Sequence, residues 1–205
     1  LTNLEFSQAA FERDTPERSL ERLAWRYLAG FGPATPADFG QFALQRKAAV
    51  TAAFAGLADR LVRYEGPDGE ELFDVPDGPR PDADSDAAGT PAPPRLLPMW
   101  DSTLLAWADR RRIIDDEHRA LVIRRNGDVL PALLVDGRVA GVWRTVEGGI
   151  EASAFRPLPD GAWSALATEA RSLQAFLSSR DPVPYRRFNR WWTDLPAAQV
   201  ELLPA

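Results

Sequence analysis

The chain has 205 residues, with 24 lysines and arginines against 30 acidic residues and a net charge of −6, and this length suits one or two small domains. It contains no cysteine and one histidine, which excludes disulfides, thiolate catalysis, cysteine-ligated metals and a multi-histidine metal site within one chain. No apolar run approaches the roughly 20 residues of a membrane span, so we expect a soluble, cytoplasmic protein with no membrane partner.

Residues 1–75 predict a winged-helix module. A capping threonine followed by Pro16 and Glu17 begins the first helix, and apolar residues recur along one of its faces. The predicted elements are helices over residues 15–30, from residue 35 and over residues 45–58, and a hairpin of residues 61–64 and 72–75. Three short helices followed by a two-stranded hairpin is the element order of a winged helix.

The third predicted helix corresponds to the helix that enters the major groove in DNA-binding helix-turn-helix modules. Its polar face carries side chains that suit phosphates and base edges, namely Gln45, Arg46, Lys47 and Thr51. Winged helices also act as packing or protein-interaction modules, and this helix is rich in alanine. The sequence leaves open whether the helix faces DNA or packs internally.

An acidic, proline-rich segment over residues 76–94 separates two predicted domains. Residues 74–94 hold five aspartates against one arginine, together with six prolines. Such a segment cannot bury enough apolar surface to offset the entropy of ordering it, so we interpret it as a linker or a long loop. Because residues 74–94 account for four of the six net negative charges, the net charge does not argue against a nucleic-acid partner.

Residues 95–205 predict a β-rich domain. The dipeptides Asn126-Gly127 and Asp136-Gly137 favour tight hairpin turns. Four antiparallel strands are predicted over residues 121–123, 129–135, 139–146 and 150–155, between a short helix at 104–107 and a helix at 160–178. The predicted fold class is therefore α+β, a winged helix followed by a small antiparallel meander or half-barrel with a covering helix.

Basic residues are concentrated in this β-rich domain. The arginines predicted to contact phosphates are Arg110, Arg111, Arg112, Arg119, Arg124, Arg125 and Arg144. Asp115, Asp116 and Glu117 follow the run of three arginines so closely that local pairing is the alternative. Residues 185–192 interleave arginine with aromatic residues, which suits stacking on exposed bases and also suits packing of a tail onto its domain.

Catalytic and metal-binding constellations are sparse. His118 could act as a general base, but its acidic neighbours favour a surface position. Asp115, Asp116 and Glu117 could bind a divalent cation, yet acids at a helix N-terminus are explained by the helix dipole. The sequence has no phosphate-binding glycine loop and no dinucleotide fingerprint. We therefore predict no cofactor, no metal and no catalytic residue within this chain.

Four segments resemble the bacterial winged helix DNA-binding domain family. They are RYLAGFGPATPAD at residues 26–38, LPMWDSTLL at 97–105, the Asp109-Arg110 and Asp115 to Arg119 stretches, and residues 126–144, which end in DGRVAGVWR. The family includes DNA glycosylases that unhook interstrand crosslinks and excise alkylated purines, built from tandem winged helices and a C-terminal β-rich domain around a DNA cleft. The resemblance implies double-stranded DNA as the partner and DNA-facing positions for Arg110, Arg119 and Arg144.

The chain departs from those glycosylases in the residues that carry catalysis. Their signature is a Gln-x-Gln motif in the N-terminal part, where a side chain orients the attacking water, and this sequence contains no such motif. The matching segments correspond to the middle and C-terminal parts of the family. Because the chain begins at Leu1 without a methionine or a signal-peptide pattern, we expect either a short member or a piece preceded by an upstream winged-helix segment.

Three hypotheses follow for the function. The first is a DNA-binding part of a winged-helix protein that contacts the DNA backbone and acts in DNA repair. The second is a part of a DNA glycosylase whose catalytic N-terminal segment is absent from this chain. The third is a protein-interaction module, with the acidic linker and the hairpin as its docking surface.

Overall fold

The computed structural model describes residues 15–78, 91–192 and 194–204. These residues divide into two units, one made of residues 15–78 and 106–108 and the other of the remaining described residues. Both units combine α-helices with antiparallel strands, as the predicted α+β class requires. The predicted linker lies largely outside the described residues, so its boundaries stay a prediction. Within the described part, no helix is both long and apolar enough to cross a membrane.

Three helices and a hairpin build the first unit, in the predicted order. They are α1 (Pro16–Phe31), α2 (Pro36–Phe42), α3 (Lys47–Leu57), β1 (Val62–Glu65) and β2 (Glu71–Asp74). The hydroxyls of Thr15 and Thr35 cap α1 and α2, because a threonine side chain can accept from a backbone N–H that lacks a partner in the first turn. The core joins all three helices to the hairpin through Leu28, Phe39, Phe54 and Phe73.

The buried carboxylate of Asp38 ties α2 to a distant segment of the chain. Its Oδ2 accepts hydrogen bonds from the backbone N–H of Thr35 at 2.8 Å and from the Thr35 hydroxyl at 2.7 Å. Its Oδ1 accepts from the N–H of Ala108 at 2.7 Å. Residues 106–108 are also held by hydrogen bonds from the Tyr27 hydroxyl to the Ala106 carbonyl at 2.6 Å and from Trp107 Nε1 to the Phe31 carbonyl at 3.1 Å. The side-chain amide of Gln41 donates to the Trp107 carbonyl at 3.3 Å. The helix predicted at 104–107 lies two residues earlier, at Ser102–Leu105, and the last two predicted residues belong to the first unit.

The turn between α1 and α2 requires glycine and adds to the hairpin. A Cβ at Gly32 would lie 2.3 Å from Oδ1 of Asp74 and 2.6 Å from the Leu28 carbonyl oxygen, a separation that real side chains do not reach. Beyond this glycine, Ala34 and Phe73 exchange two backbone hydrogen bonds of 2.9 Å each. The hairpin is thus extended on one side by a bridge to the residues between the first two helices.

A five-stranded antiparallel sheet forms the centre of the second unit. Its strands follow one another in the order β3 (Arg95–Leu97), β4 (Ala132–Val135), β5 (Arg138–Val146), β6 (Gly149–Ala154) and β7 (Gln199–Pro204). The predicted strands at 129–135, 139–146 and 150–155 correspond to β4, β5 and β6, whereas β3 and β7 were not predicted. The turn between β4 and β5 has positive φ at Asp136 (51°) and Gly137 (72°), the conformation that favours the Asp-Gly pair.

The strand predicted at residues 121–123 is wrong, because these residues end a helix. The structure has α5 over Asp116–Val122, with acidic residues in its first turn and Asp115 as its N-cap residue. The apolar Leu-Val-Ile triplet suits a strand by residue type, but here Val122 is fully buried in the core and Ile123 packs against it in part. Ile123 forms an isolated bridge with Val129 across the Asn126-Gly127 turn.

Both faces of the sheet are covered. On one face, α6 (Ala162–Ser178) packs Leu166 and Ala170 against the sheet, which confirms the predicted covering helix. On the other face, α4 (Ser102–Leu105), α5 and the 3₁₀ helix Arg186–Trp191 supply the apolar contacts. Successive residues of the sheet point to opposite faces, as Val142 and Trp143 do.

Candidate nucleic-acid interface

Arg110 and Arg119 are two guanidinium groups of the second unit whose charges interact. Arg110 is half-buried, and its Nε donates to the Leu104 carbonyl at 2.8 Å. Burial lowers the pKa of Arg110, and the nearby charge of Arg119 lowers it further, although an arginine stays protonated at neutral pH. In the described part of the chain, neither guanidinium has an ion-pair partner. Two neighbouring cations without a counter-ion favour an anionic ligand.

The other two arginines of the run have different surroundings. Arg111 pairs with Asp109 through its Nη2, 2.6 Å from Oδ2, and through its Nε at 2.8 Å. The hydrogen bonds from Arg111 lower the pKa of Asp109. Arg112 is exposed, and its carbonyl oxygen accepts from Arg138 at 3.1 Å. Local pairing therefore holds for Arg111, with Asp109 as the partner instead of the three acids that follow the run.

Asp115 anchors this segment to the sheet through arginine. It accepts hydrogen bonds from Arg138 of β5 and, at 3.4 Å, from Arg156. The bond from Arg138 is the main cause of a lowered pKa at Asp115. Oxygen or nitrogen atoms of Asp115, Glu117 and His118 lie within 4.8 Å of one another. Since two guanidinium groups already pair with Asp115, this carboxylate acts as an ion-pair anchor.

The surface position expected for His118 is wrong, because the side chain is buried with 8% of its surface exposed. Its ring packs beside Phe155 at a centroid distance of 4.8 Å, and its Nε2 lies 3.6 Å from a carboxylate oxygen of Glu117. Residues four apart share a face of a helix, and Val122, four residues on, is fully buried. That spacing is the sequence signal that could have placed His118 in the core.

The remaining predicted arginines of the second unit separate into paired and unpaired groups. Arg144 is paired across β5 and β6, with its Nε 2.7 Å from a carboxylate oxygen of Glu151. The guanidinium of Arg124 lies 4.6 Å from the centre of the Trp191 ring. Arg125 is exposed, and no ion pair involves it among the described residues.

The predicted DNA contacts of the first unit lie at the start of α3. Gln45, Arg46, Lys47 and Thr51 are all exposed. Arg46 is the N-cap residue of α3, no side chain caps the helix, and its first turn has no acidic residue. Helix amides and two cations thus give this end a positive charge. Beside it, an open cleft of about 660 Å³ between α2 and α3 has a largely apolar lining, to which Gln45, Lys47 and Thr51 add polar groups.

The aromatic residues of the tail at 185–192 pack largely inward. Trp192 is 6% exposed and lies in the core of the second unit, and Phe188 and Trp191 pack against that core. Tyr185 contacts the ring of Trp143 at 6.4 Å between centroids. The packing alternative for this tail therefore accounts for most of its aromatic side chains.

The chain is similar to proteins of known function. A family model described as DNA glycosylase AlkZ-like matches residues 3–176. An interstrand DNA cross-link repair glycosylase of Streptomyces sahachiroi is 28% identical over 150 residues, which cover 71% of this chain and 38% of that protein. The solved structure of Streptomyces sahachiroi DNA glycosylase AlkZ aligns with a TM-score of 0.63 and 26% identity, over 78% of this chain and 43% of that one. The chain thus spans about two fifths of the length of the relatives it matches.

Proposed function

Because the chain belongs to the AlkZ-like DNA glycosylase family, we propose that it is a DNA-binding part of a DNA-repair protein and contacts mainly the backbone of double-stranded DNA. The observation that carries this proposal is the Arg110 and Arg119 pair, which has no ion-pair partner in the described part of the chain. A guanidinium group can donate two parallel hydrogen bonds to a phosphate. Arg110 is also oriented in advance by its bond to Leu104.

In this proposal the first unit is a winged helix that makes a second contact with DNA. The three helices, the hairpin and the bridge between Ala34 and Phe73 support this assignment. In it, α3 is the helix that approaches DNA, and its exposed surface beyond the start is mostly alanine and glycine. Such a surface offers few groups for base edges, so Arg46 and Lys47 serve phosphates and the helix contributes little sequence preference.

The arginines of the second unit are not equally available to DNA. Arg110, Arg119 and Arg125 contact phosphates, whereas Arg111 and Arg144 remain with Asp109 and Glu151. Phosphate contacts position a protein on DNA but carry no sequence information directly. Binding is therefore strongly dependent on salt and only weakly dependent on base sequence.

A double substitution of the arginine pair tests this proposal. The change Arg110→Ala with Arg119→Ala removes two phosphate contacts and should reduce the slope of log affinity against log salt by about 1.8, since each contact contributes roughly 0.9. Fluorescence anisotropy with a labelled duplex at several salt concentrations measures the slope. The matched control is Arg171→Ala with Arg180→Ala, which removes the same charge from exposed positions of α6 and the residues after it.

Two results would contradict the proposal. One is equal salt slopes for the wild-type protein and the double variant of the arginine pair. The other is failure of the wild-type protein to bind any duplex at low salt, an outcome that would favour the protein-interaction alternative.

A second candidate function is participation in a DNA glycosylase. The family match and the name of the Streptomyces relative favour it. Because these 205 residues contain no Gln-x-Gln motif, we infer that a water-activating group of that kind lies outside them. Base release from alkylated duplex DNA distinguishes the two. We expect release by a longer natural protein that carries that motif and none by this chain, and release by this chain alone would overturn the assignment.

A further inference from the structure

Trp100 is an exposed aromatic residue that its contacts hold in one orientation. Its side chain is 40% exposed. Its backbone N–H donates to the Val129 carbonyl at 3.3 Å, and its indole Nε1–H donates to the Gly127 carbonyl at 3.0 Å. The ring of Phe188 meets the indole edge-on, with 5.6 Å between centroids. The exposed ring is therefore fixed at its backbone, at its nitrogen and along one edge.

The backbone at Trp100 adopts a conformation that a bulky residue rarely adopts. Its φ is +54°, in the left-handed region where the Cβ crowds the following carbonyl. Strained residues of this kind cluster at ligand-binding and catalytic sites, where surrounding contacts maintain them. The two hydrogen bonds and the Phe188 contact are the interactions that maintain this one.

The turn that holds Trp100 also carries positive charge. It contains Arg124, whose guanidinium covers the Trp191 ring at 4.6 Å and whose Nε is buried without a partner in the described part of the structure. It also contains Arg125, which is exposed and has no ion pair there. The neighbouring acids are engaged locally, with Asp101 accepting from the Thr103 N–H at 2.7 Å and Asp128 from the Asn126 amide at 2.9 Å.

This combination distinguishes between possible ligands. Residues 124–126 and Asp128, in the turn that holds the exposed indole, are charged or polar, which suits a nucleotide better than the apolar surface of a protein partner. A fixed aromatic face beside guanidinium groups is the arrangement that binds unpaired nucleotides, because the base stacks on the ring and the phosphates meet the cations. Bases within an intact duplex are already stacked and do not present their faces.

We infer that the exposed face of Trp100 stacks on an unpaired base of DNA, while Arg124 and Arg125 contact the flanking phosphates. The inference rests on the proposed DNA binding and specifies which form of DNA binds to this side of the second unit. Stacking is tolerant of base identity, since every base has an aromatic face. The site therefore selects DNA in which a base is displaced or unpaired, whatever its sequence.

A pair of substitutions separates stacking from a structural role. Trp100→Phe and Trp100→Leu both lose the indole hydrogen bond to Gly127, but only phenylalanine keeps an aromatic face. Affinity is measured by anisotropy for a duplex and for the same duplex with a central three-nucleotide bubble. Phe176→Ala is the matched control, because Phe176 is 55% exposed and has the guanidinium of Arg180 4.0 Å above its ring.

We expect the wild-type protein to prefer the bubble. The leucine variant should lose roughly 5- to 150-fold in bubble affinity, the range of one base–aromatic stack, and should bind the duplex as the wild-type protein does. The phenylalanine variant and the Phe176 control should keep most of the preference. Circular dichroism confirms that each variant is folded.

Failure of this inference differs from failure of the proposed function. Equal bubble affinity for the leucine and phenylalanine variants would overturn stacking while leaving duplex binding intact, and a wild-type protein that binds neither probe would overturn DNA binding itself. A measurement without variants uses 2-aminopurine as the unpaired base, whose fluorescence should be quenched on binding. Unchanged fluorescence in the bound complex would also overturn the inference.

Discussion

The start of α3 and the segment at residues 109–119 both carry consecutive basic residues, but the two regions differ in how these side chains are held. Around α3 the backbone is firmly held, with the buried Asp38 capping the neighbouring α2, while the basic side chains themselves are exposed. In residues 109–119 the side chains are fixed individually, Arg110 to a carbonyl and Arg111 to Asp109. A run of basic residues therefore does not define a binding surface, because the partner of each side chain decides what remains available.

The largest expected effect concerns the hydrogen bonds of Asp38, which hold the backbone next to α3. Asp38→Ala removes both carboxylate oxygens, which accept from three part-buried donors, two on Thr35 and one on Ala108, and a donor left without a partner costs up to about 1–3 kcal/mol when it is fully buried. We expect the free energy of unfolding to fall by about 3 kcal/mol, measured by urea denaturation with circular dichroism. Asp59→Ala, at an exposed position after α3, is the control. An equal loss of unfolding free energy in both variants would show that the backbone next to α3 does not depend on Asp38.

The next effect separates two adjacent arginines. Arg110→Ala should weaken duplex binding about tenfold, the effect of one charge-assisted hydrogen bond of roughly 1.5 kcal/mol. Arg111→Ala should change it less than about twofold, because Arg111 stays with Asp109. Anisotropy titration of both variants with the same duplex provides the comparison. Equal effects would mean that local pairing does not control which arginine meets DNA.

A smaller effect is expected at the start of α3. Arg46→Ala with Lys47→Ala should weaken duplex binding about threefold, since exposed ionic contacts contribute roughly 0.2–1 kcal/mol each. The same titration measures it, with Arg63→Ala, which removes the exposed partner of Glu71 in the hairpin, as a reference. A loss larger than that of Arg110→Ala would reverse the order of the two regions.

The smallest effect concerns pH and the anchor at Asp115. Its pKa in the folded protein lies below its ordinary value of 3.8 because of the bond from Arg138, so the stabilisation is complete above pH 3.8 and disappears as the pH falls through the folded pKa. At neutral pH, Asp115→Asn should lower the free energy of unfolding by about 0.5 kcal/mol, the scale of a partly exposed ion pair. Urea denaturation of both proteins from pH 7 to pH 2.5 tests this expectation. A difference in unfolding free energy between the wild-type protein and the variant that persists at the lowest pH would argue against an ionic anchor.

The helices of the first unit could be predicted because their signals are local. A threonine followed by proline marks the start of α1 and of α2, and the spacing of Val50, Phe54 and Leu57 marks the buried face of α3. The strands β3 and β7 gave no comparable signal. β3 has three residues, and β7 leaves Val200 and Leu202 more than half exposed, so their partners in the folded sheet decide their conformation.

The candidate site was predictable in composition but not in pairing. The contact between Arg144 and Glu151 could have been foreseen, because a hairpin turning at residues 147–148 places them opposite each other. The bond from Arg138 to Asp115 joins residues 23 apart, across a helix and a strand, and no periodicity encodes it. The same holds for Trp100, whose indole is held by a hydrogen bond to a turn 27 residues further along the chain.

The three residues 106–108 make the first unit discontinuous in sequence. Asp38 and Phe31 accept hydrogen bonds from a stretch that follows the acidic segment, and Tyr27 donates one to it. A gene fragment ending at residue 78 would encode the helices and the hairpin but would lack the hydrogen-bond partners that Ala108 and Ala106 supply to Asp38 Oδ1 and to the Tyr27 hydroxyl. Dissection of this protein into separately expressed halves therefore has no clean cutting point in the acidic segment, and a first half prepared alone needs residues 106–108 supplied as an added peptide or grafted onto its end.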